Sequence, residues 1–202
     1  MAAQLTNAQA KAMLTRLGFD NANKHFTIAV NGFQRGWNLG PALKVDSTFG
    51  PKTSDALRIS YARHKAHKPD MSAHFSYLEF RCKDGGVFDS CRRIWMLRTH
   101  VRRLEAYRHE IGDKAIRIVS GCRCKQYNKK VGGVSSSQHL FGAASDIDGQ
   151  LTVDQKEKLQ LFAGLGFKQS TSKVIHVDSR DRGGHNPKGS SPKHPAEWKY
   201  AT

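Results

Sequence analysis

Two histidines and an aspartate are candidates for metal chemistry. His139 and Asp146 lie in one short stretch, and His176 follows about thirty residues later. A catalytic zinc site typically takes three nitrogen or oxygen ligands from the protein and leaves a fourth position for water, whose pKa the metal lowers. A single histidine in an apolar strand is more often a core residue than a ligand. The three residues together predict a site for one zinc ion per chain.

Two predicted strands must bring these ligands together. Side chains alternate across a strand, so Ala144, Asp146 and Asp148 share one face of a short strand. The segment 173–179 has the β-branched alternation of a second strand, and His176 lies within it. We therefore expect neighbouring strands to present Asp146 and His176 to the same ion.

The rest of the second half predicts a mixed α and β domain. Apolar residues at helical spacing predict a helix over 94–107, and residues 115–119 alternate like a strand. Thr152 and Gln155 form a capping-box pattern for a helix that runs to Phe162. The Gly-, Lys- and Ser-rich tail over 181–195 is either a lid or a solvated end.

The first half predicts a small domain of three helices. Apolar spacing indicates helices over 7–17, around residues 30–37 and over 53–63, and Gly18 ends the first. Residues 64–72 lack apolar periodicity and are predicted to be a linker. We predict an α+β fold with an antiparallel sheet, in which domain 1–65 precedes a catalytic domain at 72–202.

The first domain resembles the peptidoglycan-binding module of cell-wall hydrolases. The resemblance depends on Phe33-Gln34, on Val45-Asp46 and on the turn Phe49-Gly50-Pro51-Lys52-Thr53, with Ala56-Leu57 after it. A longer stretch over 36–42 departs from the pattern. The resemblance implies that the module binds bacterial peptidoglycan; a three-helix domain without a ligand is the alternative.

The second domain resembles the zinc D-Ala-D-Ala carboxypeptidase family, whose relatives include phage endolysins. The motif Ser-x-His-x-x-Gly-x-Ala-x-Asp over 137–146 and the later His176-x-Asp178 carry the resemblance, and Ser120-Gly121-Cys122-Arg123 extends it. It implies that His139, Asp146 and His176 bind zinc, and that Arg123 and Ser137 contact the substrate. An arginine beside the metal can bind a carboxylate or stabilise an oxyanion, so we also expect Arg123 to act in catalysis. From the residues alone, a surface ion pair is the alternative for Arg123.

The general base is not given by the resemblance. Family members place an acidic residue or a histidine three positions before the last ligand, where this chain has Lys173. Asp178 is our candidate because it shares the strand face of His176. Asp178 could instead orient His176 by accepting its other ring proton. The lesser candidates are Asp148, His185 and His194.

The predicted function is hydrolysis of a stem-peptide amide bond in peptidoglycan, with a D,D-carboxypeptidase or endopeptidase specificity. An L-Ala-D-Glu endopeptidase and a zinc-containing wall-binding protein without hydrolysis are the alternatives, and Lys173 favours the latter. A peptidase joined to a wall-binding module suggests an endolysin that is made in the host cytoplasm and reaches the wall after release. A tail-associated lysin would have the same sequence features.

The net charge of +16 predicts an anionic partner. Wall polymers and nucleic acid both qualify, but the chain has no nucleic-acid-binding motif, so we expect no specific nucleic acid partner. Residues 1–19 have the pattern of an amphipathic helix, so we expect neither a signal peptide nor membrane insertion. We expect a monomer.

Four cysteines leave the redox state open. The residues are Cys82, Cys91, Cys122 and Cys124, and their spacing does not match a common zinc finger. Free buried thiols and one or two disulfides are both consistent with the sequence.

Overall fold

A five-stranded sheet carries the second half of the chain in the computed structural model, which describes residues 3–20, 22–84 and 94–201. The strands lie in the order β1-β2-β4-β3-β5. All neighbours are antiparallel except β3 and β5, which are parallel. The strands are β1 (Ile118–Ser120), β2 (Ala144–Ile147), β3 (Gly164–Lys168), β4 (Val174–Asp178) and β5 (Ala196–Tyr200).

Three helices precede the sheet, as predicted. They are α1 (Asn7–Arg16), α2 (Phe26–Gly36) and α3 (Pro51–Lys65). The side chain of Thr6 caps α1, and Gly18 after it has a φ of 101°, a left-handed conformation that glycine adopts without strain. Two further helices, α4 (Arg98–Glu110) and α5 (Lys125–Lys130), belong to the second half. The predicted α+β class, with a small helical unit before a largely antiparallel sheet, is confirmed.

Two predicted helices differ in the structure. The predicted helix over 94–107 begins only at Arg98, because the backbone before it bonds to other segments. The N–H of Leu97 donates to the carbonyl of Gly142 at 2.8 Å, and the N–H of Trp95 donates to Cys122 Sγ. The capping box at Thr152 is present, but it starts a 3-10 helix, Val153–Leu159, instead of an α-helix to Phe162.

One further strand follows the tail. Strand β5 follows the 181–195 segment and pairs along its whole length with β3. Alternation in Ala196–Tyr200 was compatible with a strand, but we did not predict one. The last described part of the chain is therefore an edge of the sheet, and the choice between a lid and a solvated end for 181–195 stays open.

One contiguous set of buried residues joins the three-helix unit to the sheet domain. The hydroxyl of Tyr77 donates a hydrogen bond to the carbonyl of Phe33 at 2.9 Å, and both side chains are fully buried. The Arg98 guanidinium donates to the carbonyls of Trp37 and Gly40. The predicted linker lies beside this contact: α3 extends to Lys65, and Met71 is buried in the shared core. The division at 65–72 stays a prediction.

None of the helices in the described part of the chain has the length and apolar composition of a membrane span. Cys122 and Cys124 are free thiols. Burial raises the pKa of Cys122 to about 12, so its thiol stays protonated and unreactive near neutral pH. Cys91 lies outside the described residues.

Candidate metal centre

Three elements bring the candidate ligands to one point. His139 lies on a 3-10 helix, Gln138–Phe141, Asp146 lies on β2 and His176 on β4. Asp146 and His176 are direct partners in the β2–β4 register, so their side chains leave the sheet on the same face. The 3-10 helix precedes β2, and Gly142 after it turns the chain with a φ of 68°. The structure therefore brings together the three residues that the sequence predicts as ligands.

The ligand atoms are close together. The Oδ1 atom of Asp146 lies 2.8 Å from the Nδ1 atom of His176 and 3.2 Å from the Nε2 atom of His139. The two histidine nitrogens are 3.2 Å apart. Two ligands of a tetrahedral zinc ion, each bound at about 2.0 to 2.2 Å, lie roughly 3.3 Å from each other. Within the described residues, this is the group of histidine, cysteine and acidic side chains that could hold a metal ion.

Both imidazole rings have an acceptor on the side that faces away from this point. The Nδ1 atom of His139 lies 2.6 Å from the carbonyl oxygen of Gly121, to which it donates. The Nε2 atom of His176 lies 3.4 Å from Oδ2 of Asp178. If each proton lies on the outer nitrogen, the inner nitrogens His139 Nε2 and His176 Nδ1 present lone pairs. Two lone pairs and a carboxylate oxygen at about 3 Å repel one another, so the arrangement fits a bound cation and the donor set fits zinc.

The charges of Asp146 and His139 agree with this arrangement, whereas the pKa of His176 is shifted towards the protonated form. Burial of Asp146 favours its neutral form, but hydrogen bonds and charge attraction from His139 and His176 outweigh burial and hold its pKa well below the usual range. Burial lowers the pKa of His139. Burial also disfavours the charged form of His176, but hydrogen bonds to Asp146 and Asp178 raise its pKa. The carboxylate is therefore ionised, and His139 is neutral, as a metal ligand must be.

Asp178 is buried behind His176. Its Oδ1 accepts from Nε of Arg180 at 2.9 Å and from the backbone N–H of Arg180, while its Oδ2 accepts from Nη2 of Arg180 at 2.6 Å. Burial favours its neutral form, but these bonds and the contact with His176 hold its pKa well below the usual range. Its partner across the sheet, Gly164, leaves room for it, since a β-carbon there would lie 2.2 Å from Oδ2. This position supports the orienting role over the general-base role.

Arg123 lies beside the metal centre. Its Nη2 atom contacts Oδ2 of Asp146, and its Nε donates to Ser120 Oγ at 3.0 Å. The alternative for Arg123 was a surface ion pair, whereas the observed ion pair is mostly buried and its partner is a candidate ligand. Ser137, half-buried, immediately precedes the 3-10 helix that carries His139. The predicted contacts of both residues with substrate stay proposals.

The lesser candidates for the base are all exposed. Asp148 follows β2, and His185 and His194 lie in the segment before β5. The backbone of His185 exchanges two hydrogen bonds with the side-chain amide of Gln138, next to His139. Lys173 is exposed, and its backbone bridges Thr152. None of these side chains joins the group of candidate ligands in the described part of the chain.

Two neighbours of the centre were not predicted from the sequence. Trp198 on β5 packs against His176 in a T-shaped ring contact with centroids 5.0 Å apart, and the Arg180 guanidinium lies over the Trp198 ring at 5.3 Å. The carbonyl of Gly121 holds His139. Alternation in Ala196–Tyr200 could have identified the strand, but no local signal places Trp198 beside His176, because that position depends on the parallel pairing of β5 with β3.

Comparison with known proteins gives two matches. The sequence profile of the peptidase M15 family matches residues 73–178. A zinc D-Ala-D-Ala carboxypeptidase from Streptomyces albus G is 32% identical over a 149-residue alignment, and the match covers 62% of this chain and 57% of the relative. The chain thus spans little more than half of that relative's length. The profile match includes all three candidate ligands.

Proposed function

The chain belongs to the peptidase M15 family, since the family profile matches more than half of it, and from this premise we propose that it is a zinc peptidase acting on peptidoglycan stem peptides. The observation that carries the proposal is that His139 Nε2, Asp146 Oδ1 and His176 Nδ1 lie close enough together to bind one metal ion. The relative is named as a zinc enzyme that acts on D-Ala-D-Ala. The experiment is digestion of purified peptidoglycan, followed by mass analysis of the fragments.

The three ligand residues would hold the zinc ion. When bound, zinc supplies a Lewis acid that polarises the scissile carbonyl and acidifies a water molecule. Gly121 and Asp178 hold the outer nitrogens of the two imidazoles, so each ring keeps its orientation and presents its inner nitrogen. The ring of Trp198 packs against that of His176, which is only 4% exposed.

Arg123 is the cation that would meet the substrate. Its side chain is mostly buried and is anchored by Ser120, so its guanidinium is held at the metal centre. A guanidinium in that position can bind a terminal carboxylate or the oxygen on which negative charge develops. The contact with Asp146 leaves other N–H donors of the guanidinium for this purpose.

We propose D,D specificity. The similarity to a D-Ala-D-Ala carboxypeptidase and the Ser120-Gly121-Cys122-Arg123 segment support it. Mass analysis distinguishes this from L-Ala-D-Glu cleavage, because release of D-Ala, cross-link opening and removal of the peptide after L-Ala change the fragment masses differently. Fragments cut only after L-Ala would overturn the D,D proposal.

The three-helix unit would bind the wall. Its resemblance to wall-binding modules and the net charge of +16 support this role. Metal-free chain should sediment with purified walls at moderate salt, where general charge attraction is screened. An excess of soluble stem peptide, which competes at the metal centre, should leave the retention unchanged. Release by salt or by peptide would contradict a wall-binding module.

We also propose an endolysin-like role, in which the chain degrades the wall from within after the membrane is breached. The combination of a wall peptidase with a wall-binding unit supports it. Expression inside a bacterium should cause lysis only after the membrane is permeabilised. Absence of lysis after permeabilisation, with active protein in the extract, would contradict this role.

A wall-binding protein without hydrolysis is the second candidate. The engagement of both Asp178 oxygens by Arg180, together with Lys173 where relatives carry an acidic residue or a histidine, favours it. Zinc-loaded chain that binds walls but releases no fragment would support this candidate and contradict the peptidase.

A further inference from the structure

A cavity of about 520 Å³ lies between helix α2 and the sheet domain. Ile28 and Asn31 line it from α2. Ile94, Trp95, Arg123 and Lys125 line it from the other side. We call it the α2 cavity. Its two walls come from the two halves of the chain, so neither half forms it alone.

The α2 cavity lies next to the metal centre. Arg123 lines the cavity and also contacts the candidate ligand Asp146. Leu140, another lining residue, directly follows His139, and its carbonyl accepts a hydrogen bond from Trp95 Nε1 at 3.0 Å. Arg123 thus faces both the metal centre and the cavity, so a peptide longer than the scissile dipeptide has the cavity as its nearest described pocket beyond the centre.

The lining selects for a particular chemistry. Its charged residues, Arg123 and Lys125, are both cationic, and its described lining contains no carboxylate. Ile28, Ile94 and Trp95 give it apolar walls. A segment that combines a carboxylate with aliphatic groups complements such a lining, as the stem peptides of peptidoglycan do.

The α2 wall is held firmly in place. A β-carbon at Gly32 would lie 2.0 Å from the carbonyl oxygen of Ile94. Helix α2 therefore approaches the opposite wall so closely that only glycine fits at this position. Asn31 Nδ2 donates to Ser47 Oγ at 3.0 Å, and the hydroxyl of Tyr77 donates to the carbonyl of Phe33, two residues after Asn31. These contacts fix the position of the α2 wall, which lowers the cost of ordering it when a ligand binds.

We infer that the α2 cavity binds a carboxylate-bearing part of the substrate peptide away from the scissile bond, and that helix α2 therefore belongs to the substrate site. This inference rests on the proposed function, because it assigns the extended part of the same substrate. It gives the three-helix unit a second role that is independent of wall anchoring.

The test compares two forms of one stem pentapeptide, with the internal carboxylates either free or amidated. Calorimetry gives the Kd of each form for the full-length metal-free chain, and kcat/KM is measured for each with the zinc-loaded chain. The wild type should prefer the free acid by roughly threefold to tenfold. Lys125→Glu should abolish or reverse this preference, because it replaces attraction with repulsion.

Matched controls isolate the cavity. Lys130→Glu makes the same charge change on the same helix, outside the cavity lining, and should keep the wild-type preference. Ile28→Trp should fill the cavity and weaken binding of both peptides by about tenfold or more, whereas Ile59→Trp, exposed on α3, should not.

Equal binding of the two peptides by the wild type, or the same effect of Lys125→Glu and Lys130→Glu, would overturn the inference. A wild-type chain that binds with the expected preference but hydrolyses neither peptide keeps the inference and contradicts the proposed function.

Discussion

The Nε2 atom of His176 lies 3.4 Å from the carboxylate of Asp178, which is completely buried. The opposite nitrogen of the ring, Nδ1, faces Asp146 at 2.8 Å. Asp178 is therefore separated from the predicted ion by the whole imidazole ring. This geometry favours a role for Asp178 in orienting His176 over a role as general base.

Asp178→Asn should weaken zinc binding by about 10- to 100-fold, because a neutral amide with one acceptor oxygen replaces the carboxylate whose two oxygens accept from Arg180 and face His176. Added zinc should restore most of the rate. A lost general base would instead reduce turnover by roughly 10²- to 10⁴-fold with zinc still bound. Rate measured against zinc concentration separates the two roles, with Lys173→Ala as the control. A hydrolysis rate that stays low at saturating zinc would indicate that Asp178 acts as the general base.

His139→Ala, Asp146→Ala and His176→Ala should each lower the zinc content from about one ion per chain and remove hydrolysis, since an open three-ligand site has no spare protein ligand. Metal analysis and fragment release measure the two effects. His194→Ala, in the exposed segment before β5, is the control and should retain both. Full activity after chelation would contradict the metal centre.

Arg123→Ala should reduce kcat/KM by about 10²-fold or more, the scale observed when a donor to the developing charge is removed. Zinc content should stay near one ion per chain, because Arg123 is not a ligand. Arg123→Lys should recover only part of the rate, since an ammonium cannot make a bidentate contact. If Arg123→Ala loses zinc in proportion to its rate, the residue only positions Asp146.

Tyr77→Phe should lower the free energy of unfolding of the full chain by about 1 kcal/mol, because the hydroxyl bond to the Phe33 carbonyl lies in the shared core. The loss of stability stays modest because the Phe33 carbonyl also accepts a hydrogen bond from the N–H of Trp37 and so keeps a partner. Chemical denaturation measures the change, and Tyr61→Phe on α3 is the control. Separate unfolding transitions for the two halves, with Tyr77→Phe affecting neither, would contradict a shared core.

His100 should make the protein less stable in acid. It is fully buried between Ser145 and Ser179, each hydroxyl 3.0 Å from a ring nitrogen, and burial lowers its pKa to about 3. Between pH 6.5 and pH 3 the unfolded chain binds a proton at His100 that the folded chain does not bind. The contribution of neutral His100 to the free energy of unfolding is therefore fully present above pH 6.5. It falls as the pH drops, by up to about 1.4 kcal/mol per pH unit.

The prediction for His100 is checked by measuring the free energy of unfolding of the metal-free protein at pH 7 and at pH 5. His100→Gln, which cannot take up the proton, should be less stable at pH 7 but should lose less stability on going to pH 5. Equal losses in both proteins would show that His100 does not carry this part of the acid sensitivity.

Much of the fold follows from local patterns. Helices α1 and α3 were predictable because capping residues, Gly18 and apolar spacing act within one segment. Strand β4 was predictable from its alternation. The helix expected from residue 94 was wrong in its first turn, since the backbone of Trp95 and Leu97 bonds to Cys122 and Gly142, which are distant in sequence.

The sequence by itself determined which residue types could form the centre: two imidazoles and a carboxylate, with Asp146 and His176 on strand faces. Their meeting depended on the β2–β4 register, which places them as direct partners. Only the tertiary structure decided that Asp178 lies behind His176 and that Trp198 covers it. Alternation fixes which face a side chain takes, but the neighbour on that face is set by strand pairing and by the space that residues such as Gly164 leave.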